Sequence, residues 1–246
     1  MFIGELMIDK ELLPVHVAVI MDGNGRWAQK NKVNRVQGHN AGMLAMKEII
    51  KRADILGIKY LTVYAFSTEN WKRSAEEVGG IFALLVKYVA SELEELHNNN
   101  VKVKILGDYS QIPKTAVNSI EKALDTTKNN TGLQFNIALN YGSRQEIIRA
   151  TKRIAELVSG GQLKSEEITE ETIAKYLYTG DENGNVPDPD LIIRTSGEER
   201  ISNFLLWQAA YSEFAFTDSL WPDFTPDEFE NIIEEYTTRN RRFGGR

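Results

Sequence analysis

The chain has 246 residues, 42% hydrophobic and 26% charged, with 29 lysines and arginines against 35 aspartates and glutamates for a net charge of −6. That balance suits a nucleic-acid binder poorly, and the lack of cysteine excludes disulfides, thiolate zinc sites and a cysteine nucleophile. No run of about 18 apolar residues occurs, and Met1 to Lys10 carries Glu5 and Asp9 rather than a signal peptide's basic start, so a cytoplasmic protein with an oxygen-ligated metal is expected.

In chain order, His16-Val17-Ala18-Val19-Ile20-Met21 is a continuous apolar run ended by Asp22-Gly23, the pattern of a strand buried on both faces of a parallel sheet. The polar, glycine-containing stretch Asn24 to Asn40 reads as an irregular loop. Ala41 to Leu56 reads as a helix stopped by Gly57. Tyr60 to Phe66 is a second strand, followed by a helix from Glu76 to His97 that Ser74 and Glu77 are placed to open as a capping box. Val101 to Leu106 and Phe135 to Leu139 read as strands, and Pro113 to Lys128 and Ser143 to Val158 as helices, the latter stopped by Gly160-Gly161. Thr179 to Pro189 is a second irregular stretch before the short strand Leu191 to Ile193. The alternation predicts a single α/β domain over residues 1–246, with a mainly parallel central sheet flanked by helices and ligands at the carboxyl ends of the strands.

Polar clusters follow three of those strand ends. Asp22-Gly23-Asn24-Gly25-Arg26-Trp27 offers a carboxylate, two glycines that let backbone N–H groups approach phosphate oxygens, and an arginine. Gly23-x-Gly25-x-x-Ala28 also spells a weak dinucleotide fingerprint, but Arg26 lies inside it and the acidic residue about 20 positions on, Glu48, falls in mid-helix. Ser67-Thr68-Glu69-Asn70-Trp71-Lys72-Arg73 ends in a guanidinium fork suited to diphosphate. Arg194 to Asn203, with Arg200, Ile201 and Ser202, is a second candidate anion site. Glu213 sits inside the apolar run Tyr211 to Phe216, where a carboxylate must be paired or bind metal. Of the three histidines, only His39 follows the glycine-rich stretch and reads as functional; His16 reads as structural and His97 as a helix-end residue.

Asp22 to Trp27, Phe66 to Trp71, Asn140-Tyr141-Gly142, Arg194 through Gln208 and the ending Arg241-Arg242-Phe243-Gly244-Gly245 together resemble, in order, the signature blocks of the cis-prenyltransferase family. The resemblance implies an enzyme that adds isopentenyl diphosphate to an allylic diphosphate, with an apolar product tunnel. It implies an allylic diphosphate site on Gly23, Asn24, Gly25, Arg26, Trp27, Arg35, His39 and Arg73, flanked by Ser67, Thr68, Glu69 and Trp71. Isopentenyl diphosphate falls to Arg194, Arg200, Ile201 and Ser202, Mg2+ to Asp22 and Glu213, and catalysis to Asp22 and Asn70. It further implies a homodimer whose Arg242-Phe243-Gly244 tail reaches the neighbouring site, and peripheral membrane contact through the apolar product. Some relatives carry a histidine at the position of Glu199, so that role is left unassigned. A nucleotide-dependent oxidoreductase is the rival enzyme. A non-catalytic partner subunit is disfavoured because Asp22, Arg26, Asn70, Arg194 and Arg200 are all present. On the helix from Glu76 to His97, the small residues Ala83 and Ala90 lie off the apolar stripe and are expected to face the product chain.

Overall fold

The computed structural model describes residues 11–180 and 186–239. The tail at Arg242-Phe243-Gly244 and positions 181–185 of the stretch Thr179 to Pro189 lie outside the described residues. Six parallel strands, β1 (His16–Ile20), β2 (Tyr60–Ser67), β3 (Lys102–Leu106), β4 (Gln134–Tyr141), β5 (Leu191–Arg194) and β6 (Glu213–Phe216), run in the order β3-β4-β2-β1-β5-β6. Every residue of β1 and β5 is buried, which is why both read as unbroken apolar runs. Their side chains alternate between the faces: Val17, Val19, Leu191 and Ile193 enter one core, and Ala18, Ile20 and Ile192 enter another with Phe204 and Leu205.

Helices α2 (Arg35–Leu56), α3 (Ala75–Asn98), α4 (Lys114–Thr127), α5 (Ser143–Ser159), α6 (Glu170–Lys175) and α7 (Pro226–Thr238) complete the domain behind α1 (Asn24–Lys30). The expected irregular loop from Asn24 to Asn40 is thus mostly helical. The sequence did hold the signal: Asn34 Oδ1 accepts from Gln37 N–H at 2.9 Å and Gln37 Oε1 from Asn34 N–H at 3.1 Å, a reciprocal cap that starts α2. Gly38 serves packing rather than mobility, since a Cβ there would lie 2.3 Å from the Asn24 carbonyl oxygen. The glycine lets α2 press against α1.

Strand order reverses beside β1, whose partners β2 and β5 lie on opposite sides, and a ligand crevice is expected at the carboxyl ends there. Below it lies an apolar cavity between the sheet and helices α2, α3 and α4. Met21, Asn24 and His39 stand at the crevice end; Leu96, Val103 and Phe135 line its deeper part. Along α3 the lining runs from Ile81 to Leu96, fifteen helical steps or roughly 22 Å. The wall is the apolar stripe itself, Ile81, Leu85, Val89 and Leu93. Ala83 and Ala90, expected to face a product chain, are instead exposed on the opposite side and do not line this cavity. The stripe's large side chains do not close on the sheet, and the space between them is the cavity.

Candidate functional site

Gly23 turns the chain out of β1 with φ of 109°, a left-handed conformation open to glycine. The turn fixes Asp22 beside the end of β5. Asp22 N–H donates to Thr195 Oγ1 at 3.0 Å, and the Thr195 hydroxyl donates back to the Asp22 carbonyl at 2.7 Å. Arg194 Nη2 donates to Asp22 Oδ2 at 2.8 Å, and Arg26 lies 3.4 Å from the other carboxylate oxygen. Burial pushes the Asp22 carboxyl up, but the hydrogen bond and charge of Arg194, joined by Arg26 and Ser196, outweigh it and hold the group below its ordinary value. Asp22 is therefore an anion at neutral pH.

The second candidate anion loop shares this centre. Arg194, whose side chain is only 5% exposed, also donates to Ser202 Oγ at 2.7 Å and to the Arg200 carbonyl, while its buried Nε has no partner among the described residues. Arg26 donates to the Ser196 carbonyl at 2.8 Å and to the Ser196 hydroxyl; Glu198 contacts both Arg26 and Arg200. Ser196, Ser202, Asn203 and Leu205 all have positive φ, between 47° and 79°, a cluster of costly conformations for side-chain-bearing residues. Ile201 packs into the core beneath. A Cβ at Gly25 would meet none of the described residues within 4 Å, which leaves room for a ligand beside the backbone there.

The chain after β2 closes the other side. Ser67 N–H donates to Asn70 Oδ1 at 3.0 Å, so that oxygen caps the turn Thr68–Lys72 and keeps one lone pair. Trp71 donates from Nε1 to Asn140 Oδ1 at 2.8 Å and joins Phe66 and Phe82 in an aromatic cluster. Thr68 and Glu69 meet each other at 3.3 Å, and Glu69 accepts from Asn203 at 3.0 Å, tying this loop to the Arg194–Asn203 segment. Arg35, His39 and Arg73 converge on Glu77. Burial lowers the His39 pKa; the hydrogen bond to Glu77 opposes it and the charge of Arg73 reinforces it, leaving the ring disposed to be neutral.

Two expected members stand apart. Trp27 turns its Nε1–H to Asp223 Oδ1 at 2.7 Å, at the rim. Glu213 begins β6 level with Leu191, three residues before the level of Arg194, roughly 10 Å along the strands, and its carboxylate pairs with Arg239 at 3.1 Å. The structure therefore does not bring Asp22 and Glu213 together on one ion within the chain. The apolar run around Glu213 concealed an edge strand whose first residue faces α7. Among the described residues, no group of three or more acidic or histidine side chains is placed to hold a metal alone. A single carboxylate does fit Mg2+, which keeps waters and takes one or two carboxylates with substrate phosphates.

Sequence reasoning missed Glu77, read only as a helix cap, and Asn203, whose side chain reaches both Glu69 and the Arg144 N–H. Glu77 carried one local signal, its place four residues after Arg73. Asn203 carried none beyond its place in the block. His16 is structural as expected, fully buried between Pro187 and Thr62. No helix of the described residues is long and apolar enough to cross a membrane.

Residues 20–244 match the prenyltransferase family model described as undecaprenyl diphosphate synthase. An isoprenyl transferase of Clostridium tetani is 50% identical over 98% of this chain and 93% of its own. The crystal structure of lavandulyl diphosphate synthase from Lavandula x intermedia, in complex with dimethylallyl diphosphate, superposes with a TM-score of 0.91 at 37% identity, covering 96% of this chain and 100% of that one. A Campylobacter jejuni protein described as a probable undecaprenyl diphosphate synthase gives a TM-score of 0.76 at 36% identity over 94% and 99% of the two chains.

Proposed function

The chain belongs to the undecaprenyl diphosphate synthase family and is a prenyltransferase of the cis chain-elongating type, and from that premise we propose that it extends farnesyl diphosphate with isopentenyl diphosphate to undecaprenyl diphosphate, the lipid-carrier precursor for cell-wall synthesis. The observation that carries this reading is the union of two cationic clusters with the mouth of a deep apolar cavity. An elongating prenyl diphosphate needs both, an anion clamp for its head and a dry channel for its tail.

In this reading Gly23 to Arg26, with Arg35, His39 and Arg73, hold the allylic diphosphate, while Arg194, Arg200 and Ser202 hold isopentenyl diphosphate. Two diphosphates side by side repel strongly, and guanidinium forks offset that repulsion with directed hydrogen bonds. Asp22, between the two clusters, would hold Mg2+ together with diphosphate oxygens, which supplies Lewis-acid stabilisation of the leaving diphosphate. Met21, Phe82 and Leu85 receive the apolar tail and exclude water from the allylic carbon as positive charge develops there. Asn70 assists proton loss from the condensing unit through its amide oxygen. The growing chain follows the cavity along α3. The active form is a homodimer, and contact with membranes is peripheral, through the product.

Incubation with farnesyl diphosphate, isopentenyl diphosphate and magnesium, followed by sizing of the products, tests the activity. Absence of any elongated prenyl product would remove the substrate assignment. Sedimentation of the active enzyme as a monomer would remove the dimer.

A further inference from the structure

Glu77 opens α3 in an unusual way. Ser74 Oγ accepts from the Glu77 N–H at 3.2 Å, which is half of a capping box; the reciprocal bond, from the Glu77 side chain to the Ser74 N–H, is not made. The carboxylate turns instead toward three basic side chains. Its Oε1 accepts from Arg73 Nη1 at 2.9 Å and from His39 Nε2 at 3.2 Å, and its Oε2 from Arg35 Nη1 at 3.1 Å. The Glu77 side chain is 7% exposed, whereas those of His39, Arg73 and Arg35 are 15%, 36% and 67% exposed. The cluster is thus a carboxylate floor beneath a rim of two guanidinium groups and an imidazole. Each guanidinium has donors beyond the one it gives Glu77, available to an anion arriving from solvent.

The approach of α2 to α3 makes the reach possible. A Cβ at Gly80 would stand 2.7 Å from Val36 Cγ2, so the first turns of the two helices meet there with the Val36 side chain packed directly on the glycine. Burial pushes the Glu77 carboxyl up, yet the His39 hydrogen bond and the charges of Arg73 and Arg35 overcome this and keep it ionised.

We propose that Glu77 is a positioning residue for the allylic diphosphate, its buried carboxylate fixing Arg35, His39 and Arg73 as one pre-formed cradle. The proposal rests on the reading that these three residues take the allylic diphosphate. A carboxylate so close also repels that ligand, so removing its charge tests which effect dominates. Glu77→Gln keeps the shape and loses the charge; the expected result is a rise of at least tenfold in KM for farnesyl diphosphate, with KM for isopentenyl diphosphate within threefold of wild type and the melting temperature held. Glu77→Asp, which keeps the charge on a shorter arm, should fall between the two. A purely structural role would instead move the melting temperature and both KM values together. The proposal is overturned if neither folded variant affects farnesyl diphosphate selectively, or if its KM falls. Arg73→Ala separates the two layers of argument: if it leaves KM for farnesyl diphosphate unchanged, the cradle reading itself fails. If it raises that KM while Glu77→Gln does not, only the role of Glu77 fails.

Discussion

Lowering the pH should strip stability from this protein through one histidine. His16 is fully buried at the start of β1; the Pro187 carbonyl can only accept, so His16 Nδ1–H donates to it at 2.6 Å. Nε2 must then accept from the Thr62 hydroxyl at 2.7 Å, while Thr62 Oγ1 accepts from Asn136 Nδ2 at 3.0 Å. A proton added at Nε2 would face a donor and disturb the chain of bonds across β1, β2 and β4. Burial accordingly pushes the His16 pKa down from 6.5 to about 4, against the upward pull of Pro187, Asp190 and Asp188. Because the folded value is the lower one, the unfolded chain takes up the proton first. The contribution is complete above pH 6.5 and is lost as pH falls from there to about 4. At 1.36 kcal/mol per unit the full loss is about 3 kcal/mol, of which about 2 kcal/mol is gone by pH 5. Urea unfolding of wild type and His16→Gln at pH 7.5 and pH 5 isolates the effect, since His39 titrates in both. If wild type loses less than about 1 kcal/mol more than the variant over that interval, the single-tautomer argument is wrong.

Asp22→Ala should cut turnover by more than tenfold, over about 1.4 kcal/mol of barrier, while calorimetry still detects farnesyl diphosphate binding; retention of more than a tenth of the activity would refute its central role. Arg200→Ala should raise KM for isopentenyl diphosphate more than tenfold and Arg26→Ala that for farnesyl diphosphate, since each charge-assisted contact contributes about 1.5 to 3 kcal/mol. Equal effects on both substrates would dispose of the division. Val89→Phe should fill the cavity and shorten the products at a cost of about 1 to 3 kcal/mol in stability, measured by thermal melting, whereas Ala83→Leu on the exposed face should leave product length unchanged. The reverse pattern by product sizing would place the chain on the other side of α3.

The parallel sheet was legible because β1 and β5 are buried on both faces and show it as unbroken apolar runs. The polar clusters at their ends could be read for the same reason, as sudden breaks in those runs. What escaped was geometry that depends on distant partners. Gly25 and Gly38 suggested a loop, but Gly38 is a packing surface whose meaning needs the neighbouring helix. Periodicity located the stripe of α3 but not the gap left between it and the sheet, so the small side chains were assigned to the cavity in error. Glu213 was isolated correctly as a carboxylate in need of a partner; that partner is Arg239, an identity no local pattern could supply.

The strand order also has a consequence for biosynthesis. Asp22 and Thr195, which bond each other across the crevice, are separated by 173 positions, and β1 receives its β5 neighbour only after β2, β3 and β4 on its other side are made. At about 5 to 20 residues per second, the ribosome leaves one edge of the central strand uncovered for roughly 10 to 35 s. During that interval Val17, Ala18 and Val19 form a bare apolar edge able to pair with any nascent neighbour. Substitutions that slow synthesis between β4 and β5, without altering the finished molecule, should therefore lower its yield.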